Sequence, residues 1–158
     1  MEFIIRSATA SDIPDVARLQ QAFITEHQQH YDPVFYALNQ NAVQEWSTWA
    51  SKKLESKELG FCIALKDNKI VGYITGYIEQ RAPIYHIRMI GYISNLYITP
   101  DFRGKKIGTQ LHKALIQWFK EKDVGHIELN VNSRATTTIE TWHHLGYTEV
   151  GKRMRMTL

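Results

Sequence analysis

The residues Arg103, Gly104, Lys105, Lys106, Ile107, Gly108 and Thr109 combine three cations, two glycines and the start of a helix within seven positions. An apolar, strand-like stretch ends just before them at Pro100, and an amphipathic helix follows. The first N–H groups of a helix have no intrahelical acceptor, and the helix dipole makes that end partly positive. Gly104 and Gly108 carry no Cβ, so another group can approach their backbone closely. The chemistry this predicts is a cradle for a multiply charged anion such as a pyrophosphate.

Spacing excludes two common versions of such a cradle. The nucleotide-triphosphate loop needs Gly-x-x-x-x-Gly-Lys-Ser/Thr, but here the glycines are four apart and Ile107 and Thr109 flank the second. The dinucleotide fingerprint Gly-x-Gly-x-x-Gly is absent too. A net charge of +3 is too small to imply nucleic acid, and the basic residues form no dense block. The histidines at 27 and 30, and at 143 and 144, lack a third ligand at zinc-site spacing, so no metal is expected.

The elements that must position the cradle are legible from periodicity. Residues 2–6 read as a strand, and 11–29 as a helix with Ile13, Val16, Ala17, Phe23 and Ile24 on one face. Thr9 and Asp12 have capping-box spacing at its start, and Asp32-Pro33 breaks it. A second helix is predicted over 41–57, then strands at 60–66 and 69–79 joined by a hairpin turn at Asp67-Asn68, and another strand at 87–98. Ile107, Leu111, Ala114, Leu115, Trp118 and Phe119 give the helix over 104–121 a continuous apolar stripe. A strand at 126–131, a helix at 135–145 stopped by Gly146, and a strand at 147–156 complete the order.

This order predicts an α+β (mixed α/β) layout around one central sheet. The 158 residues suffice for a single domain, 1–158, with its own core. The lone cysteine, Cys62, sits in an apolar run and has no disulfide partner, which predicts a reducing, cytoplasmic setting. No apolar stretch reaches membrane-spanning length, and no signal-peptide pattern opens the chain.

The loop Arg103-x-x-Lys106-x-Gly108 after a strand resembles the acetyl-CoA motif of the GCN5-related N-acetyltransferases, which reads Arg/Gln-x-x-Gly-x-Gly/Ala. Lys106 stands where the family has its first glycine; the departure is mild if its φ stays in the helical range. Three further pieces fit in order: the opening Phe3–Pro14, the run Lys69-Ile70-Val71-Gly72-Tyr73, and Trp142–Tyr147, which resembles Tyr-x-x-x-Gly-Phe. Arg153–Met156 also fits the usual last strand, so the resemblance covers essentially the whole chain.

The resemblance implies a mostly antiparallel central sheet of about six to seven strands, splayed in the middle and flanked by four helices. It implies that acetyl-CoA is the cosubstrate, with no metal. The backbone of Leu96, Tyr97 and Ile98 would bind the pantetheine arm, and residues 103–109 the pyrophosphate. The activity implied is acetyl transfer to a primary amine of a small molecule or peptide; no nucleic acid or membrane partner is implied, and homodimers are frequent. The family's usual general acid is a tyrosine, but that position is Trp142, whose indole N–H donates a hydrogen bond without acting as an acid near neutral pH. Tyr97 or Tyr147 could replace it. A family asparagine is Ala135 here, and a common carboxylate position is Ser94. Glu79, Glu26 and His86 are then the candidate bases, with Glu79 and Glu26 first by position. The segment Glu26–Tyr36, with His30, Tyr31 and Phe35, occupies the acceptor region with Trp46 and Trp49; its aromatics could hold an amine by cation–π contact or belong to a helix-pair core. The missing acid and base leave a second reading, a catalytically weakened acyl-CoA-binding or sensing domain.

Overall fold

The computed structural model describes residues 2–158. In chain order it contains β1 (Ile4–Ser7), α1 (Ile13–His30), α2 (Ala42–Glu55), β2 (Leu59–Lys66), β3 (Lys69–Gln80) and β4 (Met89–Ile98). α3 (Ile107–Glu121), β5 (Ile127–Leu129) and α4 (Thr136–His144) follow. Short 3-10 turns at Ala10–Asp12 and Pro100–Phe102 precede α1 and α3. The strands lie in sequence order in one mixed sheet, antiparallel from β1 to β4, with β5 parallel to β4.

Strand alternation sends successive side chains to opposite faces, and each face acquires its own helices. Cys62, Ala64, Ile74 and Ile93 on one face pack against Ile107, Leu111, Leu115 and Phe119 of α3. The apolar stripe expected of that helix is therefore the surface it buries. Phe61, Ile63, Tyr73 and Tyr97 on the opposite face pack beneath Ile13 and Val16 of α1 and Ala50 of α2. Trp46 joins this second core, with its ring 6.3 Å from Phe61, so it belongs to the helix–sheet interior.

Two expectations at the C-terminal end are corrected. The strand over 126–131 shortens to three residues paired with β4. Residues 147–156 form no strand, and the sheet has five strands among the described residues. Alternation of methionine with arginine is not enough without a ladder partner, and the three-residue β5 offers little edge to extend. Val150, Met154 and Met156 are accordingly 82, 93 and 79% exposed.

The sheet comes apart at one identifiable place. Thr75 pairs with Asn95 and Gly76 with Ile93, which leaves Ser94 as the extra residue of a β-bulge in β4. On its other edge β4 is paired to β5 only from Gly91 to Ile93. From Ser94 to Ile98 that edge of β4 has no strand beside it among the described residues.

Candidate active site

The open edge of β4 leads directly into the cradle. After the Pro100–Phe102 turn, Gly104 has φ 75° and Lys106 has φ 61° and ψ 14°. α3 therefore begins at Ile107, three residues later than the predicted 104. Lys106 is not in the helical range: it is left-handed, a conformation that a glycine would adopt at little cost. A left-handed residue at a helix mouth turns successive N–H groups toward one side, which makes an anion-binding concavity. Holding a lysine there costs about 1 kcal/mol.

Among the described residues, nothing fills the space beside the glycines of that concavity. No side-chain hydrogen bond caps α3. A Cβ added at Gly108 would meet only Leu96 Cδ2, at 3.9 Å, and one at Gly104 would meet nothing within 4 Å. Lys105 folds back, donating from Nζ to the Asp101 carbonyl at 2.8 Å and lying 4.8 Å from the Phe102 ring. Exposed amides, open space and local positive charge together fit a diphosphate.

Arg103 takes a different position. Its guanidinium donates to both carboxylate oxygens of Glu26, at 2.9 and 2.8 Å, and its Nε donates to the Ile98 carbonyl at 2.9 Å. Tyr97 donates its hydroxyl to the same Glu26 oxygen at 2.8 Å. Glu26 thus meets two other candidates that lie more than 70 positions away in the chain. Burial opposes the charge on Glu26, but hydrogen bonds from Tyr97 and Arg103 and the charge of Arg103 outweigh it, holding the carboxyl below its ordinary value. Burial first, and then the neighbouring Glu26, push Tyr97 up to about 12. This pair is a clamp between α1 and the cradle, and its carboxylate is a weakened base.

The other candidates are scattered. Glu79 is exposed, opposite Ile90, on the face that also carries Thr75 and Tyr77. His86 is exposed in the β3–β4 connection. His30 Nδ1 donates to the Glu26 carbonyl at 2.7 Å, and its ring lies 6.3 Å from Tyr31. Tyr31 and Tyr36 both pack edgewise on His27, at 5.2 Å. Phe35 lies under Arg155, whose Cζ is 3.5 Å from the ring centroid and whose guanidinium donates to Asp32 at 2.6 Å. The tail residues 147–156, lacking a strand, thereby reach the loop after α1.

Trp142 is buried, edge-on to Tyr147 at 5.3 Å and to His112 at 6.0 Å. The His112 ring nitrogen lies 2.9 Å from the Tyr147 hydroxyl. Burial lowers the pKa of His112 and raises that of Tyr147 to about 12. Trp142 is thus a packing residue between α3 and α4. Ala135, immediately before α4, is also buried and offers only a methyl group.

Sequence reasoning did not single out Thr75 or Asn95. With Ser94 they form a polar knot at the bulge: Thr75 Oγ1 is 2.9 Å from Ser94 Oγ and 3.3 Å from Asn95 Oδ1. A threonine inside the apolar run Val71–Tyr77 was the available signal. Among the described residues, no three His, Cys, Asp or Glu side chains cluster as a metal site, and no helix is long and apolar enough to cross a membrane.

Comparison with known proteins gives the family and the fold. A family model described as the acetyltransferase (GNAT) family matches residues 17–147. An uncharacterized N-acetyltransferase of Methanocaldococcus jannaschii is 28% identical over 149 residues; the match covers 93% of this chain but 61% of that protein. The tetramutant of the BH1408 protein from Bacillus halodurans superposes with a TM-score of 0.81 at 25% identity, covering 98% of this chain and 99% of that one. A predicted acetyltransferase from Clostridium acetobutylicum, crystallised with acetyl-CoA, shares the fold at a TM-score of 0.74 and 21% identity, covering 99 and 96% of the two chains.

Proposed function

The chain belongs to the acetyltransferase (GNAT) family, and from that premise we propose that it transfers the acetyl group of acetyl-CoA to a primary amine of a small molecule or peptide. The observation that carries this reading is the uncapped mouth of α3, where Lys106 is left-handed and Gly108 faces open space beside the unpaired edge of β4. Main-chain N–H groups of residues 104–109 hold the diphosphate, with Lys105 and Lys106 contributing charge. The main chain of Leu96, Tyr97 and Ile98 lines the arm. Bound acetyl-CoA supplies an activated acyl carbon.

Positioning accounts for much of the rate. Holding two reactants in register replaces a bimolecular encounter and removes about 7–11 kcal/mol of barrier in favourable cases. The amine is protonated near neutral pH and must lose a proton before attack. Glu79, exposed and unclamped, fits that role better than Glu26, whose carboxylate already accepts from Arg103 and Tyr97. Glu26, Tyr97 and Arg103 instead fix α1 against the cradle. His30, Tyr31 and Phe35, at the end of α1 and on the connection after it, border the acceptor. The lone buried thiol Cys62 suits a cytoplasmic location. Homodimer assembly is part of the same proposal, and light scattering tests it.

A free-thiol release assay against a panel of primary amines tests the activity. Acceptor-dependent release at a rate above hydrolysis is expected. The packing of Trp142 against His112 and Tyr147 favours a second reading, an acyl-CoA-binding domain with little turnover. Tight acetyl-CoA binding without release for any amine would establish that reading instead.

A further inference from the structure

The connection after α1 builds a cation site from its own residues. Asp32 Oδ1 accepts from the Val34 and Phe35 amides at 3.2 and 2.9 Å, and Gln28 Nε2 donates to the Pro33 carbonyl at 3.2 Å. The Tyr36 amide donates to the Asp32 carbonyl at 3.3 Å. Tyr31 and Tyr36, on either side of this turn, both pack on His27. These bonds occupy Oδ1 and leave Oδ2 to face outward, while the Phe35 ring stays 58% exposed. A carboxylate oxygen and an aromatic face within reach of one guanidinium make a cation site.

The occupant is the chain's own Arg155. Its Nη1 donates to Asp32 Oδ2 at 2.6 Å, and its Cζ lies 3.5 Å from the Phe35 centroid. Among the described residues, this is the only hydrogen bond that residues 148–158 make to the rest of the chain. Met154 and Met156, on either side, are exposed. The site is thus held by bonds within residues 27–36, whereas its occupant comes from 123 positions further on, in a segment without a ladder. An exposed ion pair and an exposed cation–π contact together favour the closed form about tenfold. A contact of that strength exchanges readily for the same chemical group on a ligand.

We infer that Asp32 and Phe35 bind a guanidinium on the amine acceptor, and that Arg155 fills their site as a displaceable stand-in. The inference rests on the acetyl-transfer reading above and narrows its acceptor to primary amines that carry a guanidinium. Position supports it. Six residues before Asp32, about 9 Å along the helix axis, Glu26 accepts from the Tyr97 hydroxyl, and Tyr97 lies on the stretch of β4 whose far edge is open. A guanidinium suits the site better than an ammonium, because its flat face stacks on the ring while its edge donates to the carboxylate. A ligand cation enters only when Arg155 leaves, so the tail weakens binding by the ratio of closed to open forms.

Agmatine, a primary amine with a guanidinium, and butylamine, the amine alone, serve as probes. In calorimetry with the full chain, Arg155→Ala should bind agmatine about tenfold more tightly than wild type does, and butylamine no more tightly. Asp32→Asn or Phe35→Leu, each in the Arg155→Ala background, should abolish that gain. In the wild type, agmatine should move the Arg155 Nε–Hε resonance toward its position in Asp32→Asn, a readout that does not depend on Arg155→Ala folding. In the thiol-release assay Arg155→Ala should lower KM for agmatine, whereas loss of a strap that merely steadied the loop would raise it. Equal agmatine affinities in wild type and Arg155→Ala, a gain that survives Asp32→Asn, or a raised KM overturns the assignment. Failure of acetyl-CoA to bind overturns the transfer reading and the acceptor role with it, while the agmatine comparison still decides the cation site.

Discussion

Short 3-10 turns deliver the chain into both α1 and α3, yet the two helix starts are finished in opposite ways. Before α1, Asp12 accepts from the Thr9 amide at 2.7 Å and the Thr9 hydroxyl at 2.8 Å, and Arg6 forks onto it at 2.7 and 2.9 Å. Both carboxylate oxygens of Asp12 are held within the chain, and Asp12 is buried. Before α3 there is no capping side chain, Lys106 is held left-handed, and Gly108 opens onto space. Neither helix has a side-chain cap on its first-turn amides, but the start of α1 is braced by the Arg6–Asp12–Thr9 group, whereas that of α3 bears a left-handed lysine and open space that a ligand can exploit. A helix start that the chain leaves unfinished is a better pointer to a site than basic residues alone.

Substitutions at the two helix starts should separate binding from stability. Gly108→Trp, projecting into the open concavity, should weaken acetyl-CoA at least 100-fold by calorimetry, about 2.7 kcal/mol, while the thermal midpoint stays near wild type. Unchanged affinity would place the ligand elsewhere. Asp12→Ala should do the reverse. It strands Arg6, which is 40% exposed in its side chain, so the loss in a denaturant titration should be about 2 kcal/mol with acetyl-CoA affinity unaltered.

The same carboxylate sets an acid dependence. The hydrogen bonds from Arg6, foremost, and those from Thr9 outweigh burial and hold Asp12 far below its ordinary value of 3.8. Folding is favoured by a carboxylate whose native pKa is depressed, so its contribution is complete above the unfolded value and is lost as pH falls below about 4. Wild type should therefore lose stability more steeply than Asp12→Asn between about pH 4 and pH 2.

Arg103→Gln removes the clamp on Glu26 from a half-exposed pair. A loss of about 1 kcal/mol in stability is expected, with a modest fall in acetyl-CoA affinity, of about fivefold. Lys106→Gly should have the smallest effect and the opposite sign. Relief of the left-handed lysine exceeds the entropy lost on adding a glycine by about 0.5 kcal/mol, a stabilisation visible in the thermal midpoint with binding preserved.

Much of this was legible in the sequence because it is local. The stripe on α3, the hairpin at Asp67-Asn68, the Thr9–Asp12 pair and the glycines of the cradle are patterns within a few residues, and all appear where spacing put them. Contacts between distant segments were less visible. Nothing near Glu26 announces that it meets Arg103, and nothing near Ser94 announces that β4 bulges there, because both depend on how whole strands register. The segment 147–156 failed for a related reason: alternation describes what a strand needs of itself, while pairing depends on a neighbour. Lys106 misled because a lysine's identity says nothing about φ, and the strain is sustained by the packed helix that follows it.

Cys62 has a practical corollary. Packed under α3, its thiol is pushed by burial up to about 11 and lies out of reach of solvent. Aromatic disulfide dyes, which react with accessible thiolate, should leave the folded chain colourless. Any yellow that develops on mixing with acetyl-CoA and an amine would then report liberated coenzyme, free of a protein blank.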